Sequence, residues 1–171
     1  CRGRVVSSTV IRQLIGQGEV SPAARLLQRP YDLEGDVVTG RGVGSRQTVP
    51  TLNLAPSIGA GDAQLIPARG VYVTRTSDLD GDARWNSITN IGYRPTFGQS
   101  EELSIETFLL DPLLGETPRR IRVEFLRRVR DERKFASPEE LKAQILKDVR
   151  TAQNYFRRTK AWVGRVPCTS C

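Results

Sequence analysis

The chain contains no histidine, so the side chain that most often moves protons near neutral pH is missing. Any acid–base step must then fall to a carboxylate, a lysine, a tyrosine or the substrate itself. It also contains no methionine and begins at Cys1, which leads us to expect a fragment of a longer product. Only Cys1, Cys168 and Cys171 are available as thiols, too few for a disulfide framework. A zinc site built on the tail CxxC would need two more ligands where only Cys1 is left. The tail is therefore expected to be irrelevant to function, and a reducing cytoplasm is the expected compartment. No apolar run approaches the roughly 20 residues that cross a bilayer, which predicts a soluble chain without a membrane partner. No GxxxxGK[ST] segment occurs, which excludes a P-loop enzyme.

What is present in quantity is arginine. The 171 residues carry a net charge of +7, concentrated in Arg119, Arg120, Arg122, Arg127, Arg128, Arg130, Arg133 and Lys134. Such a surplus suits nucleic acid or a phosphorylated small molecule, and it equally suits a solvated strand face. Aromatics make up 6% of the chain and none cluster among these arginines, which argues against a stacking surface for bases.

The length fits one main domain with a few extra elements. Ser7, Ser8 and Thr9 offer N-cap oxygens to a helix carrying Val10, Ile11, Leu14 and Ile15, which Gly16 and Gly18 stop. A second short helix is expected after Ser21 and Pro22. From Tyr31 the apolar pattern turns to period two, predicting strands over 31–39, 70–76, 84–91, 104–110 and 119–129. A last helix is announced by Ser137 as N-cap, Pro138 in the first turn and Glu140 closing a capping box. Its stripe of Leu141, Ile145, Val149, Ala152 and Phe156 should pack on a small antiparallel barrel.

Four segments can carry chemistry. In TGRGVGSRQTVPTLNL, Gly40, Gly42 and Gly44 let backbone amides form an anion-binding nest. Thr51 and Asn53 then project hard oxygens to one face of an extended segment, as a magnesium ion needs. Glycine turns followed by Thr and Asn are also common in plain hairpins, and spacing alone leaves both readings open. In IETFLLD, Glu106 shares its face with Phe108 and Leu110, where desolvation would raise a carboxylate toward useful base strength; an edge-strand glutamate reaching solvent is the alternative. Asn90–Thr96 forms a tight turn after a strand. Arg130–Phe135 is a charged loop ahead of the last helix.

In this order, the segments GDVVTGRGVGSRQTVPTLNL, GVY at 70–72, NIGYRPTFG at 90–98, ETFLLD at 106–111 and RVRDERKF at 128–135 resemble the riboflavin kinase family. That resemblance implies a mainly β fold, a six-stranded antiparallel Greek-key barrel with a C-terminal α-helix, here preceded by short N-terminal helices. It implies transfer of phosphate from ATP, with Mg2+ or another divalent cation, to the ribityl 5′-hydroxyl of riboflavin, giving FMN. By position it makes Glu106 the catalytic base and Thr51 and Asn53 the metal ligands. It places Gly40, Gly44 and Arg46 at the ATP phosphates, and Arg130, Arg133 and Phe135 in the loop closing over the flavin.

VSSTVIR at 6–12 and GEVSPAARLLQRPY at 18–31 are similar to the end of the adenylyltransferase module of bacterial bifunctional FAD synthetases. The expected layout is residues 1–29 as the remnant of that module, 30–160 as the kinase barrel and helix, and 161–171 as a tail. Because the adenylyl step uses a histidine-containing phosphate motif upstream, the expectation is FMN but not FAD, with the missing module of the same polypeptide as partner. The chain departs from the usual bacterial pattern at Ser45, which resembles the eukaryotic loop, at Thr48, where a glycine expected for the turn is lost, and at Phe108, where His or Tyr is usual. The competing readings are a nucleic-acid-binding small barrel and a flavin-binding remnant that leaves ATP intact.

Overall fold

The computed structural model describes residues 7–38, 51–57, 64–95 and 101–163, with side chains left out at 94, 95, 101 and 160–163. Six strands close an antiparallel barrel: β1 (Tyr31–Val38), β2 (Thr51–Pro56), β3 (Gly70–Asp78), β4 (Arg84–Pro95), β5 (Glu101–Leu109) and β6 (Arg120–Arg130). Around the wall the order is β1-β2-β5-β4-β3-β6, with β6 pairing back on β1. β3, β4 and β5 follow one another as hairpins and β6 returns beside β3, which is the Greek-key connection expected from the sequence. Two helices, α1 (Ser8–Gly16) and α2 (Val20–Leu27), precede the barrel, and α3 (Pro138–Val163) follows it. Residues through Lys134 form one compact unit and those from Phe135 on form a second.

The alternation that predicted β6 is the alternation that fills the barrel. Ile121, Val123 and Phe125 are each 0% exposed, while the alternating Arg120 and Arg122 face out. Leu33, Leu52, Leu54, Ile91, Ile105 and Leu109 complete the apolar interior. Fully burying a side chain of this size stabilises by about 1.5–3 kcal/mol. β2 was not among the strands expected from periodicity. It is short, Pro56 ends it, and only Leu52 and Leu54 point inward, so its pattern is too brief to separate from a loop.

The interior behind β3, β4 and β5 differs in kind. Thr76, Ser87, Thr74, Thr89 and Thr107, all 0% exposed, form a chain of hydroxyl contacts at 2.8, 2.8, 2.9 and 2.9 Å. Buried hydroxyls are tolerated when each finds a partner, and here they supply one another across three strands.

α2 docks on β6 and β1, and α1 packs on α2, with its Ile15 carbonyl accepting from the Ala68 N–H at 3.3 Å. The Ser7 hydroxyl caps α1 by accepting from the Val10 N–H at 3.3 Å. α2 begins at Val20, earlier than Pro22 suggested, which leaves Pro22 in the first turn where its missing N–H costs nothing. Ser21 does not cap; its hydroxyl donates to the Leu126 carbonyl of β6 at 2.8 Å. Val20, 1% exposed, joins the same apolar cluster as the barrel interior. In the second unit the Glu140 N–H donates to Ser137 Oγ at 3.2 Å, as foreseen. The Glu140 carboxylate accepts from the Ala136 N–H one residue earlier than a standard capping box has it.

Candidate functional site: a polar row across three strands

Strand register, which no spacing in the sequence reveals, brings the candidate residues together. Asn53 of β2 is the direct partner of Glu106 in β5, and Glu106 is the direct partner of Asn90 in β4. Directly paired residues share a face with Cβ atoms about 4.5–5.5 Å apart, so an amide, a carboxylate and a second amide lie side by side. Their neighbours Leu52, Thr107, Thr89 and Ile91 are buried inward, so by alternation the row faces out. Glu106, Asn53 and Asn90 are each half-buried. Thr51 lies two residues before Asn53 on the same outward face, roughly 6.6 Å along the strand, and pairs with Phe108.

The apolar face expected around Glu106 is therefore the outer one, shared with half-buried Phe108, and not the barrel interior. Ser104, also two residues away on that face, donates its hydroxyl to Glu106 Oε1 at 3.0 Å. That bond turns one carboxylate oxygen toward the strand. Thr51 and Asn53 offer the neutral, hard oxygens that magnesium accepts, next to a carboxylate. Among the described residues there is no cluster of three or more His, Cys, Asp or Glu.

Arg130 belongs to the same register circuit, since Asn90 pairs with Val71 and Val71 with Arg130. It sits three strands from Glu106, roughly 14 Å along the wall at about 4.8 Å per strand, and is half-buried. Arg133 is exposed on the loop after β6, and half-buried Phe135 opens the second unit. Gly40, Gly44 and Arg46 lie outside the described residues, as does the cysteine pair of the tail.

Two residues that the sequence reading did not single out also bear on the site. Asn90 lies in the segment expected as a tight turn, whereas β4 continues as a strand through Pro95. Glu132 lies against Gly92 of β4 so closely that a Cβ there would meet its Oε1 at 2.1 Å. The loop after β6 is thus seated on the strand that carries Asn90, two residues from it. A separate cleft of about 180 Å³ is lined by Arg75, Arg84, Trp85, Asn86 and Asp111. It lies four residues from Asn90 along β4, roughly 13 Å away, and is not part of the row. Among the described residues no helix is long and apolar enough to cross a membrane.

Comparison with known proteins gives the family. A family model described as riboflavin kinase matches residues 27–156. The bifunctional riboflavin kinase/FMN adenylyltransferase of Escherichia coli K12 is 35% identical over 161 residues, covering 94% of this chain and 49% of that protein. The enzyme of the same name from Bacillus subtilis 168 is 36% identical over 153 residues, covering 88% and 46%. The chain thus spans about half the length of these curated relatives. Among solved structures, one described as a macrolide-efflux protein from Streptococcus pneumoniae superposes with a TM-score of 0.77 at 31% identity, covering 90% of this chain and 48% of that one. Riboflavin kinase from Trypanosoma brucei, at 17% identity and a TM-score of 0.51 over 82% of this chain and 92% of that one, shares the fold. With the family model matched over most of its length, the chain belongs to the riboflavin kinase family.

Proposed function

We propose that this chain transfers the terminal phosphate of ATP to the 5′-hydroxyl of riboflavin, and that the row on β2, β5 and β4 is where it happens. The observation that carries the reading is the direct pairing of Asn53 with Glu106, which sets a candidate metal ligand beside a candidate base. Phosphoryl transfer asks the protein chiefly for positioning and charge stabilisation.

Glu106 orients the ribityl hydroxyl and takes its proton as that oxygen bonds to the γ-phosphorus and the bond to the departing ADP breaks. The hydrogen bond from Ser104 helps to orient the Glu106 carboxylate on the outer face. Thr51 and Asn53 hold a divalent cation, which when bound neutralises phosphate charge. Arg130 and Arg133 serve the flavin on the far side of the row, and Gly40, Gly44 and Arg46 are assigned to the ATP phosphates on sequence alone. We assign residues 30–160 to the kinase, 1–29 to the end of an adjoining module and 161–171 to a tail. The adenylyl transfer named for the relatives is not assigned to these residues.

The test is direct. Incubation with riboflavin, ATP and magnesium, followed by chromatographic separation of flavins, should yield FMN and no FAD. Riboflavin recovered unchanged, with ATP intact, would leave only a flavin-binding remnant.

A further inference from the structure

Three segments far apart in sequence converge on one guanidinium. Arg128 Nη1 donates to the Gln17 carbonyl in the turn between α1 and α2 at 3.0 Å. Its Nη2 donates to the Arg69 carbonyl just before β3 at 2.7 Å and contacts Asp131 Oδ1, in the loop after β6, at 3.0 Å. The guanidinium also lies 5.9 Å from the centroid of the Tyr72 ring. Tyr72 donates its hydroxyl to the Ala68 carbonyl, and burial pushes its pKa up to about 12, so it stays a donor across the physiological range. Arg128 Nε is buried without a hydrogen-bond partner.

The fit allows little slack. Gly18, at φ +78°, lies where a Cβ would come within 2.7 Å of Tyr72 Oη and 2.9 Å of Arg128 Cζ. The helix turn therefore closes directly onto the arginine, and Ser21 fixes α2 to β6 beside it. On the other side, Asp131 immediately precedes Glu132, whose carboxylate rests on Gly92 of the strand carrying Asn90. Both helical segments that form this turn begin before the stretch matched by the kinase family, which starts at residue 27. The contact thus runs from outside that stretch to the loop at its catalytic face.

We propose that Arg128 is a positioning residue that couples the seat of the α1–α2 pair to the position of the 131–134 loop, so that riboflavin binding and helix docking stabilise each other. This rests on reading that loop as the one that closes over the flavin. The physical basis is the planar fork of arginine: the two carbonyls fix the guanidinium plane, and the fixed plane presents Nη2 to Asp131. The Asp131 side chain is 84% exposed, so its ion pair is weak by itself and depends on an arginine already held by the helix turn. Any such coupling is reciprocal.

The experiment uses the full chain with four substitutions: Arg128→Met, Arg128→Lys, Asp131→Asn and Arg133→Ala. Arg128→Met should raise the riboflavin KM about fivefold to tenfold, at the low end of typical coupling, with the ATP KM and kcat changed less than about twofold. Arg128→Lys should recover less than half of that loss, because a point-charge ammonium cannot hold three acceptors in one plane. Riboflavin should slow hydrogen exchange at Gln17–Glu19 in the native chain, and the slowing should vanish in Arg128→Met and in Asp131→Asn. If Arg128→Met fails to fold, Asp131→Asn, which alters an exposed carboxylate, carries the exchange measurement. Riboflavin-induced protection that persists in Asp131→Asn overturns the coupling, as does an equal rise in both KM values. An Arg133→Ala variant with an unchanged riboflavin KM overturns the reading of the loop itself, and the proposal with it; a raised KM there beside a neutral Asp131→Asn overturns the coupling alone.

Discussion

Two sectors of one barrel wall use their outward carboxylates in opposite ways. Where β1 meets β6, Glu34 accepts from Arg122 Nε at 2.7 Å, Asp32 lies 3.7 Å from the same nitrogen and Asp36 lies 4.0 Å from Arg120. The hydrogen bond to Glu34 pushes the Arg122 pKa up, so that arginine is held in its charged form by its partner. Where β2, β5 and β4 meet, the outward carboxylate is Glu106, flanked by Asn53 and Asn90 and bonded by Ser104. The interiors differ in part, with Leu33, Ile121, Val123 and Phe125 behind the first sector and, behind the second, Thr89 and Thr107 of the hydroxyl chain beside Leu52 and Leu54. A carboxylate between arginines joins strands; one between amides can serve a hydroxyl and a cation. Stability and turnover should therefore respond to different sectors.

The largest effect should come from Glu106→Ala. General-base help is typically worth about 10²- to 10⁴-fold, so kcat should fall on that scale while thermal unfolding moves little, because the side chain is half-buried on the outer face. Activity close to that of the unsubstituted chain would remove the base assignment and erase the distinction between the sectors. Asn53→Ala should act next, raising the magnesium concentration for half-maximal rate at least about tenfold, the usual scale even for residues behind a metal ligand. An unchanged magnesium dependence would take Asn53 out of the metal's contacts.

Smaller and purely structural is Thr89→Val. The change keeps side-chain volume but strips Thr74 and Thr107 of a shared partner. Thr74 keeps Ser87 as a partner, so the loss falls on Thr107, and leaving one buried hydroxyl unmatched costs about 1–3 kcal/mol, which urea unfolding will read. Ile121→Val, in the apolar sector, should cost about 0.5–1.5 kcal/mol. If the valine at 89 proved neutral, the hydroxyl chain would be filler and the two interiors equivalent.

These residues also mark how far the sequence could be read. Ile121, Val123 and Phe125 alternate cleanly with arginines, and Ser137, Pro138 and Glu140 carry a start signal within one turn, so β6 and α3 were legible from local chemistry. The hydroxyl chain was not, because threonine counts as polar in a period-two pattern and only its cross-strand partners decide that it faces inward. Thr51, Asn53 and Glu106 were legible as types in recognised segments. Their assembly into a row was not, because it depends on β5 inserting between β2 and β4, a pairing set by the closed barrel. The loop seat at Glu132 depends on Gly92 lacking a Cβ, which nothing in the sequence ties to residue 132.

The smallest effect, and the sharpest control, is Glu34→Gln. The substitution removes the charge facing Arg122 but keeps Asp32 in reach. The bonds that Gln64 makes to residue 34 use its backbone N–H and carbonyl, so the strand keeps its anchor. Exposed ion pairs contribute about 0–1 kcal/mol, and the Arg122 side chain is 46% exposed, so the loss should sit inside that range. It should also shrink in salt, since screening shortens from about 10 Å at 0.1 M to about 3 Å at 1 M. FMN formation should be unchanged, because this carboxylate belongs to the wall and not to the row. A Glu34→Gln chain that lost turnover as Glu106→Ala is expected to would mean that charge anywhere on the barrel's outer face tunes the reaction, and that the division between a joining sector and a working one is false.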